Sequence, residues 1–202
     1  MPDDLEALVT GDIVSRLQDW ASLWADLLLV DMALHYRDSL PDVPTNLFAR
    51  RALWEGAVVA YGRTIKIGRR QALIRDLLDD LGPGAKECHD DVIAWRDRHI
   101  AHRVDASRET VTTHAVIDPD GPRVVGVHIR VSPATEPDQE GGQLVATFQG
   151  HIKVLRDLAW EQRLQPLETE VVEHYMSKLD SLIATASPPE SSTAFSVNIR
   201  PS

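Results

Sequence analysis

The hydrophobic period of the chain switches at Thr110, and that switch constrains the fold more than any other feature of the 202 residues. Before it, apolar residues recur at steps of three and four, the period of an amphipathic helix. Following Asp12, a suitable N-cap, Ile13, Leu17, Trp20, Trp24, Leu27, Leu28 and Leu34 keep that spacing. Asp12, Asp19 and Asp26 recur every seven residues on the opposite face, which reads as a solvated stripe. Pro41 and Pro44 end the run, and Thr45 or Asn46 can cap a second helix through Leu53, Trp54, Val58 and Tyr61 to about Lys66. A third helix is predicted over Arg69 to Leu81, stopped by Gly82-Pro83-Gly84, and a fourth from about Ala85 to Arg103.

From Thr110 the β-branched runs Thr110–Ile117 and Val124–Val131 flank Asp118-Pro119-Asp120-Gly121-Pro122, the signature of a β-hairpin. Two more helices are expected over about 143–162 and 167–186, then a Ser/Pro-rich, mobile tail from Ser187. The expected fold is mainly α, a single helical-bundle domain over residues 1–186 with the hairpin inserted between helix 4 and helix 5. A two-stranded hairpin is marginal by itself, so it must pack on the bundle or pair with another chain.

Acids outnumber bases 31 to 21, a formal charge of −10, which argues against a uniformly basic nucleic-acid binder. The distribution says more. Residues 56–75 hold Arg63, Lys66, Arg69, Arg70 and Arg75 with no acid, and residues 96–103 hold Arg96, Arg98 and Arg103 against Asp97. These stretches carry +5 and +2, so the remainder carries −10 − 7 = −17. Phosphate binding, if present, is confined to one region. The bland alternative is a basic helix end that offsets acids such as Asp76, Asp79 and Asp80.

One cysteine, Cys88, rules out an intramolecular disulfide framework. The acidic opening Met1-Pro2-Asp3-Asp4 does not suit a signal peptide, and Asp19, Asp26 and Asp31 interrupt the most apolar early stretch. A cytoplasmic setting without membrane contact is expected. Phosphate-loop, dinucleotide, nucleophile-elbow and H-E-x-x-H zinc signatures are missing, so no cofactor is expected. The pairs His89-Asp90 and His114 with His128 are too few for a metal site, and none is expected. His151 and His174, alone on separate helices, read as structural or solvated, and Trp20, Trp24 and Trp54 as core or interface residues.

The densest chemistry lies in residues 89–103. At 100° per residue, Asp91, Trp95, Arg98 and His102 fall within about 60° of one another, and Arg96, His99 and Arg103 form a neighbouring strip. Guanidiniums can neutralise a phosphate and stabilise a pentacoordinate transition state, and a histidine can move a proton near neutral pH. Basic residues at a helix C-terminus also complement the macrodipole with no further role.

The segment Arg96-Asp97-Arg98-His99-Ile100-Ala101-His102 resembles the arginine-polar-x-x-x-Ala-His signature of HEPN-domain proteins. The upstream run Leu53-Trp54-Glu55-Gly56-Ala57-Val58-Val59-Ala60-Tyr61-Gly62-Arg63 resembles the second helix of abortive-infection and toxin-type members. The likeness covers about residues 12–103. It implies a helical bundle that homodimerises around a shared cleft and cleaves RNA without metal, as a toxin or phage-defence component. Arg96 would hold the scissile phosphate, His102 would transfer a proton or bind phosphate, and Asp97 would orient either. Arg98, His99 and Arg103 would contact RNA, with Tyr61, Arg63, Lys66, Arg69 and Arg70 extending the track. An antitoxin or other protein partner belongs to the same expectation. Arg98 shares a helix face with His102 more closely than Arg96 does, so the choice of working arginine stays open. Many HEPN members are non-catalytic RNA- or protein-binding or dimerisation modules, which is the alternative function. A purely structural helical dimer, its Arg/His cluster paired with Asp90, Asp91 or Asp97, is a third.

Overall fold

The computed structural model describes residues 6–65, 69–98, 110–119, 121, 123–132 and 143–187. It is mainly α, with helices α1 (Asp12–Ser39), α2 (Leu47–Arg63), α3 (Arg69–Leu81), α4 (Pro83–Arg96), α5 (Leu144–Ala159), α6 (Gln165–Met176) and α7 (Leu179–Ile183). A two-stranded antiparallel hairpin of β1 (Thr110–Ile117) and β2 (Val124–Ser132) sits between α4 and α5. No described helix is long and apolar enough to cross a membrane.

Several helix boundaries differ from the sequence reading for local reasons. The N-cap of α1 is Gly11, not Asp12, at a φ of 134° that favours glycine. Asp12 instead lies in the first turn, where its charge complements the helix dipole. The fourth helix begins at Pro83, because Gly82 takes a φ of 86° after α3 and proline suits the first helical position. Its α-helical part runs to Arg96 and passes into a wider π-type turn at Asp97 and Arg98, and the expected end at Arg103 lies outside the described residues. The break expected between residues 162 and 167 is a π-helical segment, Trp160–Leu164, which runs into α6. Pro166 in the first turn of α6 has no N–H for the i−4 carbonyl, so a local widening there leaves fewer donors to satisfy. The expected tail lies outside the described residues beyond Ser187, whose backbone pairs with Glu6 near the other end.

Trp54, Ala57, Val58 and Tyr61 of α2, spaced by three and four, are fully buried in one core with Leu23, Leu27, Val30 and Leu34 of α1 and Phe148, Ile152 and Leu155 of α5. Trp54 meets Trp95 of α4 edge-on at 5.1 Å and Phe148 at 5.9 Å, so aromatic packing ties α2, α4 and α5 together. Asp26 departs from its expected place on a solvated face. Its side chain is only 15% exposed and accepts from Arg63 Nη2 at 3.1 Å, joining α1 to the end of α2. Asp31 of α1 likewise pairs with Arg156 of α5.

Cys88 is buried, and burial followed by the nearby Asp91 charge raises its thiol to about 11. With so little thiolate, it should react with a thiol reagent at pH 8 about a hundredfold more slowly than free cysteine. Timed labelling of native against unfolded chain checks this, and equal rates would contradict the burial.

Candidate functional site

The site is built where the end of α2 crosses α4. His89 and Arg96 are seven residues apart on α4 and therefore share a face. Each meets the last turn of α2, His89 at Tyr61 and Arg96 at Gly62. Long side chains on a helix lean toward its N-terminus, so Arg96 lies back along α4 instead of extending past its end.

Gly62 makes that course possible. A methyl group on it would sit 2.6 Å from Arg96 Nε and 2.8 Å from Cδ, closer than carbon atoms pack. Asp97 fixes the other end, with Oδ1 accepting from Arg96 Nη1 at 2.7 Å. The Arg96 side chain is 14% exposed, and its buried Nε has no hydrogen-bond partner among the described residues. A half-buried guanidinium held on one edge and left with an unmet donor is costly in a purely structural role.

Beside it runs a buried polar chain. The Tyr61 hydroxyl lies 2.7 Å from His89 Nδ1 and 3.2 Å from His151 Nε2 of α5. It has one hydrogen, so it donates to one imidazole and accepts from the other, and two neutral rings satisfy the chain. Burial pushes His151 down to about 4, with His89 a second cause. Burial also lowers His89, against the opposing charge of Asp90. Tyr61 is raised by burial, and by Cys88 and Asp90 behind it. These groups stay uncharged at neutral pH. His89 also lines an open cavity of about 350 Å³ between α3 and α4, with Arg75, Lys86, Asp79, Ile74 and Leu78.

Among the residues expected to act, the structure brings Arg96 and Asp97 together and leaves Arg98 exposed one residue further on. Tyr61 is corrected from an RNA contact to a core residue, because its side chain is fully buried against Phe148, His89 and His151. Arg63 is exposed and donates from Nη2 to Asp26, so one edge of its guanidinium is already paired. Lys66, His99, His102 and Arg103 lie outside the described residues, and for Arg69 and Arg70 only the helical backbone is described. Asp79 pairs with Lys86 at 2.5 Å and Asp80 with Arg163 at 2.8 Å, bases that lie outside the stretch expected to offset them.

The sequence reading missed Gly62, His89 as a partner of Tyr61, and His151. A glycine inside a helical run was the only available signal for the first, and the other two depend on contacts 28 and 90 residues apart. His114 and His128 do stand opposite each other in the hairpin register. Among the described residues no three His, Cys, Asp or Glu side chains converge as metal ligands would. Comparison with family models, with curated proteins and with solved structures finds no match to this chain.

Proposed function

We propose that the protein is a HEPN-like, metal-independent endoribonuclease acting as a dimer, a toxin or phage-defence component. The observation that supports this reading is the Arg96 guanidinium, oriented by Asp97 and seated on Gly62 where α4 leads into the segment bearing His102. Arg96 binds the scissile phosphate and offsets the charge that develops on it during attack. The neighbouring ribose 2′-hydroxyl loses its proton and bonds to phosphorus, and the bond to the 5′-oxygen breaks. The products are a 2′,3′-cyclic phosphate and a free 5′-hydroxyl, with His102 transferring a proton. Asp97 keeps the guanidinium plane fixed through its charge-assisted bond. Arg98, His99 and Arg103 would hold flanking phosphates.

The test compares wild type, Arg96→Ala and His102→Ala on RNA in the presence of EDTA. Cleavage by wild type that both substitutions abolish supports the reading. Equal activity in the three proteins would remove the site assignment, and activity lost to EDTA would remove the metal-free mechanism. The uncovered hairpin favours a second reading, a non-catalytic binding or dimerisation module, which requires RNA or partner binding without cleavage.

A further inference from the structure

The hairpin sorts its side chains by register. Thr113 stands opposite Ile129, Ala115 opposite Val127 and Ile117 opposite Val124, so these six share one face. Thr112 with Arg130, His114 with His128 and Val116 with Gly126 occupy the other, and a bulge at Val116/Ile117 sets Val125 out of register. The first face is apolar, yet Ile117, Val124, Val127 and Ile129 remain 62–68% exposed. Among the described residues the two strands pack chiefly on each other, with no more than a marginal helix contact, and the sheet has two strands. A hairpin of this kind is too small to be stable alone, and alternation this regular is the pattern of a half-buried surface.

We infer that this face docks on the same face of a second copy of the chain, two hairpins packing about a two-fold axis. Charge favours that occupant. Residues 110–132 contain Asp118 and Asp120 against Arg123 and Arg130 and so are neutral, leaving the full −10 to the rest of the molecule. Two copies of an acidic chain meet through such a neutral element at less electrostatic cost than through their acidic surfaces. An isologous contact also matches apolar to apolar without a separate complementary partner.

Area sets the strength. Burying one aliphatic side chain removes roughly 60–120 Å² of apolar surface. The four most exposed residues and their smaller neighbours then bring about 300 Å² per copy. A standard homodimer interface buries about 500 Å² of apolar surface per partner. The contact is therefore smaller than that of an obligate dimer and forms reversibly.

The inference is independent of ribonuclease activity, and its test uses no RNA. The mass of the full chain is measured by sedimentation or light scattering over about a hundredfold concentration range. The expected result is a monomer–dimer equilibrium whose Kd rises at least about tenfold in a Val127→Thr, Ile129→Thr variant. Threonine keeps β-branching, so the strand persists while its apolar surface shrinks. A His128→Asn change on the opposite face should leave Kd unaltered. A wild-type chain that stays monomeric throughout overturns the inference, including the case where its hairpin amides are protected by another part of the same chain. A dimer indifferent to the threonine pair, or one lost equally with His128→Asn, overturns it as well.

Discussion

Replacing Gly62 with alanine is expected to slow RNA cleavage about a hundredfold while leaving the melting temperature unchanged or slightly raised. The two effects separate because the new methyl meets the far end of a flexible side chain. With Cβ 2.6 Å from Nε and 2.8 Å from Cδ, Arg96 must leave its seat, but no backbone has to move. A guanidinium displaced by about 1 Å no longer faces the phosphate in its developing geometry, which lowers kcat more than it raises KM. Alanine meanwhile improves helix propensity by up to about 1 kcal/mol over glycine in the last turn of α2. Single-turnover rates and thermal melts on Gly62→Ala, Arg96→Ala and the double variant check this. If Gly62 acts through Arg96, the double variant is no slower than Arg96→Ala alone. Multiplied losses, or a Gly62→Ala protein as fast as wild type, would separate Gly62 from the arginine.

Acid should weaken the fold through His151, by roughly 3 kcal/mol between pH 7 and pH 4. The folded state holds this imidazole neutral down to about 4, and the unfolded chain protonates it near its ordinary 6.5. Below 6.5 the unfolded state binds more protons, so stability falls as pH falls and levels off beneath about 4. Above 6.5 the contribution is present in full. His89 shifts in the same direction and adds to the slope. Denaturant titrations at a series of pH values measure this directly. Carboxylates titrate over the same range, so the decisive quantity is the difference between wild type and His151→Leu. That difference should follow the descent from 6.5 to 4, and a difference that does not vary with pH would refute the neutral, buried assignment.

Sequence and structure agree where the determinants are local. Trp20, Leu27 and Leu34, read from their spacing as one face of the first helix, are buried in α1, where Leu23 and Val30 join them, because spacings of three and four fix a helix face whatever packs on it. The hairpin was legible for the same reason: alternation at period two and a turn rich in Pro, Asp and Gly need no distant partner. The Arg96-Asp97 pair could also be read, since adjacent residues can meet without help from the rest of the chain. Helix ends were less legible. Propensity does not encode the π-type turn at Asp97 and Arg98, and Gly11 replaced Asp12 as a cap because the entering backbone needed a positive φ.

What only the tertiary structure decided is which residue meets which across elements. Tyr61 lies inside a basic stretch of sequence and looked available to a ligand, but its helix face turns into the core against Phe148 and His151. Asp26 belongs to a regular acidic stripe, yet the crossing of α1 and α2 brings it to Arg63 and withdraws it from solvent. The sequence by itself determined the main helices, the hairpin and the place of Arg96 on the fourth helix. It could not determine that Gly62 seats that arginine or that Tyr61 joins His89 to His151. Hydrophobic periodicity fixes which face of each element is buried, whereas pairings between elements follow from crossing angles and side-chain volumes that exist only when all the helices pack at once.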